Sequence, residues 1–298
     1  MTLNIWRLSD SKPGHDSQSI GLCNAIERLH ACRRFDISVE SSLRDLLFKA
    51  FPAGTDLPNP DFIIGAGHGT HLPLLAARHS RGGKAIVLMK PSLPISFFDT
   101  CIIPKHDLVT GRKNIINTDG ALNPVVFNDD KVHNEGLILL GGLSKHYHWT
   151  NNAVIDQIET LITNNTGIKW ALASSPRTPK SFFSSLEERS ISNIEILPYP
   201  NTRSARILEQ INKASTIWVT KDSVSMVYEA LSSGASVGLI ELPNNNNSRL
   251  EKGINILIKD KKLTTFSNWE KDRTLTSGLI RFNEADRCAK MLLDKWPA

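Results

Sequence analysis

Short apolar runs of three to five residues recur along the chain. Between them lie longer segments whose apolar positions fall every three to four residues, the spacing of one helix face. The short runs predict strands at 4–8, 35–39, 61–65, 85–89, 100–103 and 114–117, then at 136–140, 169–173, 195–197, 216–219 and 236–240. Helical spacing predicts helices at 19–30, 43–51, 72–80, 152–164, 180–189, 203–214, 223–233 and 283–296. Strands alternating with helices predict parallel sheets covered on both faces. The rhythm breaks at the polar stretch 127–136, "FNDDKVHNEG", and restarts after it. The fold class expected is therefore α/β, with two doubly wound, Rossmann-like domains at 1–132 and 133–298 and 127–136 as linker. The last helix carries Ala285, Ala289, Leu292, Leu293 and Trp296 on one side, as a helix packing back on the first domain would. Four successive residues, Asn244 to Asn247, read as a flexible loop.

Length supports the two-domain reading, since 298 residues exceed the usual single core. Net charge changes the picture only by exclusion. The chain carries +5 overall, spread as 15 basic and 14 acidic side chains before residue 136 and 20 and 16 after it. Without a basic stripe, nucleic acid is not an expected partner. The four cysteines, Cys23, Cys32, Cys101 and Cys288, form no C-x-x-C pair, so neither a zinc site nor a disulfide framework is expected. The first residues, "MTLNIWRLSD", have no basic and apolar leader pattern, and no window reaches 18 consecutive apolar residues. A cytoplasmic protein is expected.

Several motifs carry candidate chemistry. "DFIIGAGHGTH" follows a strand and opens a helix, but the third glycine of the dinucleotide fingerprint is missing after Gly65 and Gly67. No acidic residue closes a second strand about 20 residues on, so a nicotinamide cofactor is not expected. His68 and His71 are three apart without the Glu of H-E-x-x-H, so they read as polar cleft lining rather than as metal ligands. "GASVG" at Gly234–Gly238 matches a nucleophile elbow in spelling, yet a helix precedes it and a strand follows. Gly234 reads instead as a helix C-cap. "LILLGGLSK" ends a strand in Gly141 and Gly142, which permits close approach of backbone to a phosphate. A plain tight turn explains that pair almost as well.

"TIWVTKDSVSMVYEALSSG" is the most informative stretch. A strand ends and Asp222-Ser223 opens a helix on which Asp222, Ser225, Met226 and Glu229 share a face. A helix start presents free amides and a positive dipole end to a diphosphate. Two turns on, the Glu229 carboxylate is placed to accept bonds from two ribose hydroxyls. A capped amphipathic helix with one solvated Glu is the plain alternative. At the first strand end, "SDSKPGHDSQ" crowds Lys12, Gly14, His15 and Gln18 into one loop, where open α/β sheets bind ligands.

"DSKPGHDSQ", "GAGHGTH", "MKPSLP…FDTCIIPKHD", "SSPRTP" and "VTKDSVSMVYEALSSG" together resemble the bacterial relatives of the plant mitochondrial-fission factor "elongated mitochondria". That family is similar to GT-B glycosyltransferases, two doubly wound domains facing across a cleft. The resemblance implies a nucleotide-sugar donor in the C-terminal domain and a glycolipid or envelope polysaccharide acceptor on the N-terminal side. It implies that Glu229 binds the donor ribose, that Gly141, Gly142 and Ser144 form the phosphate-side loop, and that Arg177 pairs with a phosphate. His15 becomes the candidate general base, and histidine as a side-chain type suits proton transfer at neutral pH. Lys12, Gly14, Gln18, His68, His71 and Lys90 fall on the acceptor side. No cofactor or metal is expected, and a UDP-sugar is the default donor. Plant members are described as adaptors, so an inert adaptor is the rival reading. A nucleotide-sugar epimerase is a third, which would need a bound dinucleotide that the incomplete fingerprint argues against. Peripheral membrane contact is expected from 41–54, where Leu43, Leu46, Leu47, Ala50 and Phe51 share a face beside Arg44 and Lys49. Packing of that face on the sheet is the alternative.

Overall fold

The computed structural model describes residues 2–40, 46–47, 50–202, 204–243, 249–275 and 282–297. Contacts divide the chain into two compact units: Met1–Pro124 with Asn283–Ala298, and Val125–Phe282. Each is built on its own six-stranded sheet, and every described strand pairing is parallel.

The first unit runs β1 (Leu3–Ser9), α1 (Pro13–Leu29), β2 (Cys32–Ser38), β3 (Phe62–Ala66), α2 (His71–Arg81), β4 (Lys84–Leu88), β5 (Thr100–Pro104) and β6 (Ile115–Thr118). Its sheet order is β2-β1-β3-β4-β5-β6. Every residue of β3 and β5 is buried, as strands covered on both faces require, and that is why they read as unbroken apolar runs. On one face, Leu22, Cys23 and Ile26 of α1 pack with Ile5, Ile64 and Ile86. On the other, Leu74 and Ala77 of α2 pack with Trp6, Ile63 and Val87.

The second unit runs β7 (Val132–Leu139), α3 (Asn151–Thr163), β8 (Lys169–Ala173), α4 (Ser181–Glu188), β9 (Ile194–Leu197), α5 (Ser204–Lys213), β10 (Ala214–Thr220), α6 (Val224–Ser232), β11 (Ser236–Ile240), α7 (Arg249–Lys259), β12 (Thr264–Thr265) and α8 (Phe266–Asp272). Its order, β9-β8-β7-β10-β11-β12, is 3-2-1-4-5-6 in the unit's own numbering, the dinucleotide-fold order. Trp149, Trp170, Trp218 and Trp269 fill one core with Ile155, Ile158 and Phe182.

The chain then returns to the first unit as α9 (Glu284–Lys295). Ala285, Cys288, Ala289 and Leu292 join the core of α1. Full burial of a side chain such as Leu292 contributes about 1.5–3 kcal/mol. Polar bonds fix the register of α9: Arg287 Nη2 donates to the Asn117 carbonyl at 2.6 Å, and Glu284 accepts from the Asp119 amide at 2.9 Å.

Three expectations change. Residues 127–136 are not all linker, because β7 begins at Val132 and its exposed first half pairs with β10. Those positions are solvated, so they leave no apolar signal. Helices α7 and α8 and the two-residue β12 lie beyond the predicted elements. Helix α1 starts six residues early, because Pro13 takes the first helical position, where its missing N–H costs nothing. The membrane stripe is only partly described. Leu43, Arg44 and Lys49 lie outside the described residues. Phe51 stacks on Trp6 with ring centroids 5.6 Å apart, and Leu46 packs on the same core, while Leu47 is exposed. The Asn244–Asn247 loop also lies outside the described residues.

Candidate functional site

Open α/β sheets bind ligands at the carboxyl ends of strands where the strand order reverses. In the first unit that point lies between β1 and β3. The early start of α1 puts Gly14, His15 and Gln18 in the first two turns of a helix rather than in a loop. Gln18 Nε2 bonds back to the Gly14 carbonyl at 3.3 Å, and Gly14 itself has open space around it. The His15 Nδ1 lies 2.9 Å and 3.0 Å from the two carboxylate oxygens of Asp10. Asp10 is 8% exposed at its side chain and His15 20%. Burial raises the Asp10 pKa, but the His15 bond, the His15 charge and the Lys12 amide outweigh it, so the carboxylate is held below its usual range. Lys12 is exposed, its Nζ 3.5 Å from Asp10. With Nδ1 turned to Asp10, Nε2 is the ring nitrogen without a hydrogen-bond partner among the described residues.

The glycines of "GAGHG" make room for this pair. A Cβ on Gly67 would stand 2.0 Å from His15 Cε1, and Gly67 has φ +75°, a left-handed value. A Cβ on Gly69 would stand 2.9 Å from an Asp10 oxygen. The motif that resembled a dinucleotide fingerprint therefore seats a His–Asp pair. Beside it, Arg7 donates to Asp16 at 2.8 Å and to Asp36 at 2.5 Å, and Ser9 donates to Asp16 at 2.6 Å. That network fixes the end of β1 against the start of α1.

The two other histidines part company. His68 is exposed in a short 3-10 turn. His71, expected to line a cleft, is 2% exposed, with Nδ1 3.2 Å from Ser92 Oγ and its ring edge-on to Phe98. Its buried Nε2 meets no hydrogen-bond partner among the described residues. Burial, then the neighbouring His68 and His15, push its pKa down to about 4. His71 is thus a neutral core imidazole. Lys90 is exposed at the end of β4, after Met89 with φ +71°.

In the second unit the strand order reverses between β7 and β10. Gly141, Gly142 and Ser144 follow β7, and Asp222, Ser223 and Ser225 follow β10. The glycine amides are engaged within the chain: Gly141 N donates to Thr220 Oγ1 at 2.7 Å, and Gly142 N to Asp222 Oδ2 at 2.9 Å. A Cβ on Gly141 would stand 2.2 Å from Asp222, and one on Gly142, at φ +148°, 2.0 Å from the Arg177 carbonyl. Arg177 Nη1 donates to Asp222 Oδ2 at 2.7 Å and to the Leu143 carbonyl at 3.2 Å. Ser175 and Thr178 donate to the Gly141 carbonyl at 2.5 Å and 2.6 Å, locking the "SSPRTP" loop onto the glycines. Ser144 Oγ accepts from the amides of His146 and Tyr147 at 3.3 Å and 3.1 Å.

Helix α6 begins here with its N-terminus at the site. Ser223 is its N-cap, yet the side chain makes no cap bond, against the capping expectation. Its carbonyl accepts from Val227 N at 3.1 Å. The amides of Val224, Ser225 and Met226 find no acceptor among the described residues. Ser225 is exposed, and Glu229 is half-buried two turns along. Gly234 follows the helix with φ +86°, as a residue closing a helix does.

Sequence reasoning missed Asp10, Thr220, Ser175 and Thr178. The only signal for Asp10 was its nearness to His15. The others are ordinary hydroxyl residues whose roles depend on strand ends 34 to 79 residues away. No group of three or more potential metal ligands gathers among the described residues. No described helix is long and apolar enough to cross a membrane.

Comparison with known proteins bears on the fold and the family. An uncharacterized protein of Rickettsia prowazekii is 22% identical, covering 89% of this chain and 91% of that protein. The crystal structure of UDP-GlcNAc 2-epimerase from Neisseria meningitidis, bound to UDP-GlcNAc, matches with a TM-score of 0.57 at 11% identity, covering 99% of this chain and 100% of that one. UDP-GlcNAc 2-epimerase from Methanocaldococcus jannaschii matches at 0.54 and 14%, with the same coverage. These likenesses establish a GT-B-like fold of two parallel α/β units. The model of the mitochondrial fission ELM1 family matches residues 13–296, so the chain belongs to that family.

Proposed function

We propose that the protein is a glycosyltransferase that moves a sugar from a nucleotide-sugar to a glycolipid or cell-envelope polysaccharide, without a metal ion. The observation that carries this reading is the β7/β10 strand end. It gathers a guanidinium and the unpaired amides of α6 at the place where this fold takes nucleotides. Such groups stabilise the charge that develops on a departing nucleoside diphosphate. Glu229 takes the ribose hydroxyls, and a UDP-sugar is the natural first donor to test. In the first unit, His15 Nε2 removes the proton of the attacking acceptor hydroxyl as the new bond to the sugar forms. Asp10 holds the ring by its other nitrogen and stabilises the imidazolium that results.

The test is release of UDP from a panel of UDP-sugars, with and without a glycolipid extract, and mass detection of the product. Release that depends on the extract and falls in His15→Ala supports transfer. A nucleotide-sugar isomer formed with no acceptor present would favour a second reading, epimerisation, which the names of the structural neighbours recommend. Binding without turnover in every condition would favour an inert adaptor.

A further inference from the structure

At the β7/β10 strand end, the site expected to hold a diphosphate already contains an anion of its own. Asp222 has no exposed side-chain surface, and it occupies both the Gly142 amide and one end of Arg177. Its second oxygen, Oδ1, is buried with no hydrogen-bond partner among the described residues. The glycine amides are therefore not open to a phosphate, since Gly141 N is on Thr220 and Gly142 N on Asp222.

We propose that Asp222 touches no donor atom but is the positioning residue for Arg177, which reads the diphosphate with the opposite edge of its guanidinium. The proposal rests on the donor reading above. Both Nη1 hydrogens of Arg177 are committed, one to Asp222 and one to the Leu143 carbonyl. Nη2 and Nε have no partner among the described residues, and the side chain is 40% exposed. Those two nitrogens form the planar fork that binds two phosphate oxygens at once. An incoming phosphate does not pull Arg177 away, because that would strand a fully buried carboxylate on a single amide. Asp222 lies two residues before α6, so the free edge of Arg177 and the unpaired amides of Val224 and Ser225 serve the same anion. Gly141 has to be glycine for this, since a Cβ there would stand 2.2 Å from the clamping carboxylate. Gly142 likewise gives the Arg177 loop its close approach.

The experiment measures binding of UDP, inorganic pyrophosphate and uridine to wild type, Asp222→Asn and Arg177→Lys, by calorimetry for the anions and ligand-observed NMR for uridine. Asn keeps the size of Asp222 but not its charge, and Lys keeps the charge of Arg177 but not its fork. Both variants are expected to lose UDP and pyrophosphate affinity by about ten- to a hundredfold while uridine binding stays unchanged, a split that a merely unfolded variant would not give. Should Asp222→Asn bind UDP as tightly as wild type or more tightly, the carboxylate is a bystander or a competitor, and the positioning role is wrong while the donor reading stands. Equal losses of uridine and UDP would also reject it. Wild type that binds neither UDP nor pyrophosphate would overturn both.

Discussion

The two strand-order reversals solve a similar problem with opposite chemistry. At each, a buried carboxylate holds a nitrogen-bearing side chain above glycine backbone: Asp10 holds His15 over Gly67, and Asp222 holds Arg177 over Gly141 and Gly142. The first pair lies within five residues of one chain turn; the second spans 45 residues and two loops. The held group also differs. An imidazole gains and loses a proton near neutrality, whereas a guanidinium keeps its charge at all working pH. On the proposed function, the first pair would move a proton and the second hold an anion, a division of labour that this chemical difference suits.

The largest expected effect is at His15, the proposed base. His15→Ala is expected to lower kcat by about 10²–10⁴ while nucleotide affinity changes little. Steady-state kinetics beside calorimetry checks this, and wild-type turnover in the variant would reduce His15 to helix-start packing.

The next effect separates His15 from its buried neighbour His71. The folded-state pKa of His71, about 4, lies below the ordinary histidine value. Between about pH 4 and 6.5 the unfolded chain therefore binds more protons, and stability falls as pH falls through that window. The lost stability amounts to about 3 kcal/mol at 1.36 kcal/mol per pH unit. Denaturant melts at pH 7 and pH 4.5 measure it, and His71→Asn is expected to flatten the difference. An equal acid loss in the variant would assign it to other groups.

Glu229→Ala sharpens the donor side. Losing charge-assisted bonds of roughly 1.5–3 kcal/mol to the ribose is expected to weaken UDP by about ten- to a few hundredfold. The change belongs in KM, because the ribose is remote from the bond that breaks. For the same reason 2′-deoxy-UDP is expected to be a poor ligand of wild type, and equal affinity for both nucleotides would move the ribose elsewhere.

How far the sequence could be read follows the same local-versus-distant divide. Strands such as Phe62–Ala66 and Ser236–Ile240 announce themselves because burial on both faces demands an apolar run. The exposed half of Val132–Leu139 has no such demand and hid inside an apparent linker. His15 was legible as a candidate from its turn, and Arg177 from its motif. The Arg177–Asp222 pair was not, because nothing in either segment states that strand order brings β8 and β10 ends to one glycine pair. The glycines of "GAGHG" show the same divide: their spelling announces a close approach, and only the packing shows that the approaching group is the chain's own His15.

In the proposed function, the Val125–Phe282 unit binds a nucleoside diphosphate. Thermal unfolding of the whole chain against a panel of nucleoside diphosphates tests it most directly. A ligand at 100 times its dissociation constant stabilises by about 2.7 kcal/mol. A clear upward shift is expected with at least UDP, lost in Arg177→Ala; melting curves that no member of the panel moves would rule out nucleotide binding by this unit.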